Sequence, residues 1–202
     1  MQASCRSMVI ACGALSREIN ALRSINGWFH LDLDCLPASL HNRPTQITAA
    51  VAVKINNARA EGYSNIFVAY GDCGTAGTLD KLLDNEGVTR IAGAHCYDFY
   101  ADGLFAELAE SEPATFYLTD FLARHFETLV VRPLGMDRYP ELQSTYFGNY
   151  QRLLYLSQTQ DDDLLQRARQ VAQRLGLSFA ERHTGYGGLQ HALRRFQEAS
   201  HA

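Results

Sequence analysis

Short apolar runs and amphipathic stretches alternate along most of this chain. Residues 8–12, 65–70, 88–92, 115–119 and 128–131 are near-continuous apolar or β-branched runs. Such runs are the pattern of strands covered on both faces, as in a parallel sheet. Residues 28–35 behave differently: Phe29, Leu31 and Leu33 alternate with His30, Asp32 and Asp34. That alternation predicts a less buried strand nearer a sheet edge. Residues 177–182 read as a last strand. Between the runs lie stretches of helical period. Leu15, Ile19, Leu22 and Ile25 share one face of a helix over 14–25, which Asn26-Gly27 ends. Ile47, Val51 and Ile55 do the same over 45–60. Shorter helices are expected over 78–85 and 121–126, the second opened by Asp120 as N-cap. An amphipathic helix over 161–175 starts with acidic residues, as the helix dipole favours. Residues 140–158, rich in aromatic side chains, read as helical, and 190–202 as a fraying helical tail.

The alternation predicts an α/β fold: a mostly parallel, Rossmann-like sheet with helices on both faces and its active edge at the strand carboxyl ends. A single domain over 1–202 is expected. A helical cap within 140–175 is the two-lobed variant of it. With 202 residues there is room for a sizeable core.

Charge and length narrow the function classes. The formal charge of −4, with no basic face, argues against nucleic acid as a partner. No stretch approaches the ~20 apolar residues that span a bilayer. The apolar run after the N-terminus leads into Ser16-Arg17-Glu18, so it reads as a strand and not as an export signal. Five cysteines, an odd number, then point to the reducing cytoplasm, with thiols free, catalytic or metal-bound. A homo-oligomer is compatible with all of this.

The candidate chemistry gathers at the ends of the apolar runs. The central stretch is 65–77, where the run stops at Tyr70-Gly71-Asp72-Cys73-Gly74-Thr75 before a helix. Glycine there permits a sharp bend and a close approach. A thiol beside a helix N-terminus is favoured as thiolate. Cys12, followed by Gly13, ends the first run, Cys35 the second, and His95-Cys96 the fourth. Any one cysteine is as readily a small core residue. Cys35 reads as core on that ground, and Cys5 as incidental.

Cys12, Cys73 and Cys96 are therefore the candidate thiolate ligands of a metal, with His41 or His95 as a fourth. Zinc is the first expectation and an iron–sulfur cluster the alternative. No compact Cys-x-x-Cys pair is present, so this reading depends on the strand ends converging. A metal-free alternative uses two thiols as acid and base across a substrate carbon, as in amino-acid racemases. A third use of the turn is anion binding by backbone N–H groups, with Gly71, Gly74 and Thr75 as cofactor-binding candidates. Cys73, Asp72, His41 and Arg43 are the catalytic candidates, Arg43 to hold an anionic group and His41 to carry a proton or ligate. His41-Asn42-Arg43-Pro44 reads equally as a capping turn. Tyr97 is a candidate lining residue, Tyr146–Tyr150 a candidate pocket cover, and Thr184-Gly185-Tyr186-Gly187-Gly188 a candidate lid or plain surface turn.

Several of these motifs together resemble a known family. They are Ala11-Cys12-Gly13-Ala14-Leu15, Leu36-Pro37 with Leu40-His41-Asn42-Arg43-Pro44, Tyr70-Gly71-Asp72-Cys73-Gly74-Thr75, Gly93-Ala94-His95-Cys96-Tyr97 and Phe116-Tyr117-Leu118-Thr119-Asp120-Phe121. Tyr146-Phe147-Gly148-Asn149-Tyr150 and Thr184-Gly185-Tyr186-Gly187 extend the set. The chain resembles the uncharacterised domain-of-unknown-function family numbered 1638 over nearly its whole length. The resemblance implies no established activity. Its members accompany corrinoid-dependent methyl-transfer systems, so it implies a setting in one-carbon chemistry. Corrinoid would then enter only through a partner protein, and the ligand would be a small substrate or methyl carrier. A non-enzymatic accessory protein is the remaining expectation.

Overall fold

The computed structural model describes residues 6–101 and 104–200. In chain order the elements are β1 (Ser7–Cys12), α1 (Ser16–Asn26), β2 (Leu31–Leu36), α2 (Ile47–Ala60), β3 (Asn65–Ala69), α3 (Thr78–Glu86), β4 (Thr89–Arg90), α4 (Asp98–Ala101), α5 (Leu104–Ser111), β5 (Thr115–Thr119), α6 (Asp120–Phe126), α7 (Leu142–Phe147), β6 (Arg152–Ser157), α8 (Asp162–Leu175), β7 (Ser178–His183) and α9 (Gly187–Ser200). Two short 3₁₀ turns, Ala38–Asn42 and Pro44–Gln46, lie between β2 and α2. The molecule is an α/β protein with parallel, Rossmann-like sheets flanked by helices. No helix among the described residues is long and apolar enough to cross a membrane.

The strands divide between two sheets, and the chain between two compact units. The first unit comprises residues 1–99 with 186–202, the second residues 100–185. In the first, the strand order is β2-β1-β3-β4, all parallel. The sequence explains which strand is central. Every residue of β1, Ser7 to Cys12, is buried, as a strand flanked on both sides must be. β2, with its acidic alternation, lies at the edge. Its charged positions are answered there, Asp32 by Tyr63 and Asp34 by Lys54 at 2.7 Å each. The C-terminal segment is no frayed tail over its described part. α9 buries Leu189, Ala192 and Leu193 and stacks Phe196 on Phe67 of β3, ring centroids 5.2 Å apart. The Thr184-to-Gly188 stretch leads directly into that helix.

The second unit has the order β5-β6-β7, again parallel. Its central strand, β6, falls in the stretch expected to be helical. Leu153, Leu154, Tyr155 and Leu156 are all buried, so this is a two-sided strand, which a short apolar run cannot distinguish from a buried helix. The helical reading of 140–158 is accordingly corrected: those residues supply α7 and the central strand, and α8 follows. The expected strand over 128–131 is also corrected. Those residues continue α6 as a π-helical turn, Glu127–Val131, and Val131 packs in the core with Phe126 and Met136. A helix already under way sets the local backbone, and burial of Val131 satisfies the apolar run equally well in that form. The strand expected over 88–92 shrinks to Thr89–Arg90, paired with Phe67 and Val68. Cys5 lies outside the described residues.

Candidate functional site

Topology alone sends the carboxyl ends of β1, β2, β3 and β4 to one edge of the first sheet, because all four run parallel. Two glycine-dependent approaches then bring the loops after them together. Gly71 follows β3, and a Cβ there would lie 2.8 Å from the carbonyl carbon of His95 and 3.0 Å from its Cα. Only glycine lets the 95–96 backbone pass so close. Gly74 has φ +86°, and a Cβ there would meet Pro44 at 3.2 Å, so the turn lies close against the His41-to-Pro44 loop. The two loops are zipped by backbone bonds, Asp72 N–H to the Gly93 carbonyl (3.0 Å) and Cys73 N–H to the Ala94 carbonyl (2.7 Å).

Arg90 braces the same assembly from below. Its Nε donates to Asp80 at 2.6 Å and its Nη1 to the carbonyl of Ile91 at 2.9 Å, with longer approaches to the carbonyls of Tyr70 and Gly93. Each partner holds the other charged, lowering the Asp80 carboxyl and raising the Arg90 guanidinium through their shared hydrogen bonds.

The result is a cluster of three thiols. Cys73 Sγ lies 3.5 Å from Cys96 Sγ. Cys12 stands close enough to Cys96 to titrate with it, and His41 and His95 both act on the Cys73 thiol. The Tyr70 hydroxyl is buried near Cys12 and has no hydrogen-bond partner among the described residues. Cys12 and Cys73 are buried, Cys96 half-buried. His95 stacks on Tyr97, centroids 4.9 Å apart, and the His41 ring lies 6.4 Å from that of His95.

Electrostatics follow from those contacts. The Cys96 thiol donates to Cys73 strongly enough to outweigh burial, and with His41 and His95 it brings Cys73 down to about 3. The same donor brings Cys12 to about 7 against its burial. Cys96, the donor to both, is raised. His41 is raised chiefly by its bond to the Cys73 sulfur. The three sulfurs thus share protons as one set, with imidazole as the nearest cationic partner. Burial and the Cys12 charge push Tyr70 upward, so it keeps its proton.

Cys73 carries a second mark. Its φ is +48°, in the left-handed region that residues with a Cβ rarely adopt. Such a backbone costs on the order of 1–3 kcal/mol and persists only where its surroundings enforce it. Here the enforcing group is Asp72. Its carboxylate accepts from the N–H groups of Gly74, Ala76 and Gly77 and from the Thr75 hydroxyl (2.8 Å). Those bonds, that to Gly77 first, hold the Asp72 carboxyl below the usual carboxylate range.

This geometry sorts the expected residues. Cys12, Cys73, Cys96, His41 and His95 come together, and Tyr97 stands against them through His95. Asp72 shapes the turn beneath Cys73. The N–H groups of Gly74, Ala76 and Gly77 are taken by that carboxylate, and Thr75 N–H by the Asp72 carbonyl, so the anion in this nest is the chain's own. Arg43 is exposed. Cys35 pairs in register with Ala11, one residue before Cys12, which puts it on the opposite face of the sheet. Burial raises its thiol to about 11. Tyr70 and Arg90 were not singled out from the sequence; Tyr70, a hydroxyl one residue before the glycine turn, was the available signal.

Among the described residues, no group of three or more His, Cys, Asp and Glu side chains stands ready-made around a metal position. Sulfurs about 2.3 Å from a tetrahedral zinc are about 3.8 Å apart, so the Cys73–Cys96 pair would have to open by about 0.3 Å. No curated protein matches the chain, and no solved structure does. Residues 35–193 match the family described as a protein of unknown function (DUF1638), and the chain belongs to that family.

Proposed function

We propose that this protein is a metal-dependent enzyme whose centre is one soft ion, zinc first, held by Cys12, Cys73 and Cys96. The carrying observation is that thiols from three separate strand ends gather at one sheet edge, with Cys73 and Cys96 in contact at 3.5 Å and Cys12 titrating with them. A core has no use for that arrangement. Thiol protons shared among three mostly buried sulfurs occupy the place a cation would take, and deprotonated sulfur is what a soft cation binds. Either His41 or His95 completes the ligand set, and the other remains to carry a proton.

The sulfur separation supports one ion over an iron–sulfur cluster. A four-iron cluster held by three cysteines sets each thiolate on a separate iron, whereas these two sulfurs stand near the spacing of ligands on a single ion. The same separation weighs against a racemase-like pair, since sulfurs in contact leave no gap for a substrate carbon between them. Bound zinc would supply a Lewis acid or an activated thiolate or water. Group transfer to or from a small soft nucleophile fits that centre. Methyl transfer alongside a corrinoid protein, the setting the resemblance implies, is one such reaction.

The test is metal content by mass spectrometry on protein purified without oxygen or chelators. About one zinc per chain in wild type, absent from Cys73→Ser, is the expected result. Metal-free wild type with freely reactive thiols would overturn the proposal.

A further inference from the structure

The contact between Cys73 and Cys96 carries a second consequence, independent of whether a metal binds. We infer that these two residues form a dithiol that closes reversibly to a disulfide by exchange with a low-molecular-weight disulfide. If the metal reading holds, closure removes two of its ligands at once, and that part of the inference rests on the reading above.

Geometry supports the pair and its order of reaction. The sulfurs are already 3.5 Å apart, so side-chain rotation within two loops is all that closure requires. Both residues sit in loops, 70–77 and 91–97, whose backbones are bonded at Asp72–Gly93 and Cys73–Ala94. Cys12, by contrast, ends a strand paired on both sides, with Cys12 itself against Leu36. It is the least able of the three to move. Cys96 is half-buried and Cys73 is 3% exposed, so the oxidant meets Cys96 first.

The steps balance. Cys96 gives its proton to a neighbouring imidazole as its sulfur attacks one sulfur of the small disulfide, forms a mixed disulfide and releases one thiolate. The Cys73 thiolate then attacks Cys96 Sγ, forms the internal disulfide and releases the second. Two electrons pass to the small disulfide, which leaves as two thiols carrying the two protons. A dithiol reductant reverses the sequence. Glycine at 71 and the left-handed backbone at Cys73 gain a purpose here, since both serve to bring these two sulfurs face to face.

The experiment uses the full chain, freed of metal by chelator, incubated with oxidised glutathione and read by intact-mass and peptide mass spectrometry. Circular dichroism before oxidation confirms that each sample is folded. Wild type should lose two hydrogens with no retained adduct, and peptide mapping should join Cys73 to Cys96. Cys73→Ser should stop at one glutathione on Cys96, and Cys96→Ser should form no internal bond. Cys35→Ser should behave as wild type. A stable adduct on wild type without closure, or a Cys12–Cys96 bond, would overturn the inference. A second arm starts from protein as purified and follows zinc release with a chromophoric chelator during oxidation. Closure in protein that never held zinc would uphold the dithiol and remove the metal reading. Zinc-loaded protein whose chelated form fails to close would do the reverse.

Discussion

The carboxyl edges of the two sheets share an architecture and differ in what they do with it. At each, parallel strands deliver polar side chains to one edge. At the second sheet the polar group is Asp120, fully buried at the start of α6. It accepts from the Tyr155 hydroxyl (2.6 Å), the N–H groups of Gln158 and Thr159, and the Thr159 hydroxyl (2.5 Å). Gln158 returns the bond by accepting from Asp120 N–H at 3.0 Å. Every lone pair faces a fixed donor, so the edge is closed. At the first sheet Asp72 closes its own turn in the same way, but the group it presents, Cys73, is partnered by the Cys96 thiol and backbone and by imidazoles. The comparison separates two uses of one topology. A carboxylate surrounded by donors fixes the fold, whereas thiols that share protons leave a place for an ion or an electrophile.

The contrast can be broken by substitution. The largest expected effect is loss of metal: serine at Cys12, Cys73 or Cys96 should each cut zinc content from about one per chain to below a tenth, with far-UV circular dichroism unchanged. Retention of zinc in any of the three would remove that residue from the ligand set. Next comes Asp120→Ala, which strands several buried donors and should cost about 3 kcal/mol or more in urea unfolding. It should leave the zinc content of folded protein intact, and a loss there would break the contrast.

Gly71→Ala tests the approach of the two loops. Its Cβ meets backbone atoms at 2.8 and 3.0 Å, so the 95–96 segment must move. About 1–3 kcal/mol of stability should be lost, with zinc affinity falling at least tenfold in competition with a chelator. Unchanged affinity would show that Cys96 adjusts freely. Asp72→Ala removes the cap of the Cys73 turn and should cost roughly 1–2 kcal/mol, read as a lower urea midpoint. Here the turn and not the chemistry is damaged, so added zinc should restore part of the stability. The smallest effect is expected of Arg90→Gln, which drops the Asp80 pair and weakens the hold on the Ile91 carbonyl. A loss of about 1 kcal/mol is expected, accompanied by faster amide exchange in residues 91–96, measured by mass spectrometry.

The alternation of buried runs and amphipathic stretches was enough to determine a parallel α/β fold, because a strand covered on both faces must be apolar throughout. It also placed Cys12, Cys73 and Cys96 at strand ends, and parallel strands share one functional edge. What local pattern cannot carry is which elements are neighbours. Residues 153–156 are apolar enough for strand or helix, and 128–131 likewise; only the partners at β5, β7 and α6 decided each case. Cys35 ends a strand run as Cys12 does, yet a register of one residue sends it to the other face. The role of Asp72 depended on a turn whose donors fold back upon it. That Cys73 and Cys96 touch with Cys12 beside them was decided by tertiary structure alone, since Cys12 and Cys96 are far apart in sequence and come near only because β1, β3 and β4 lie side by side.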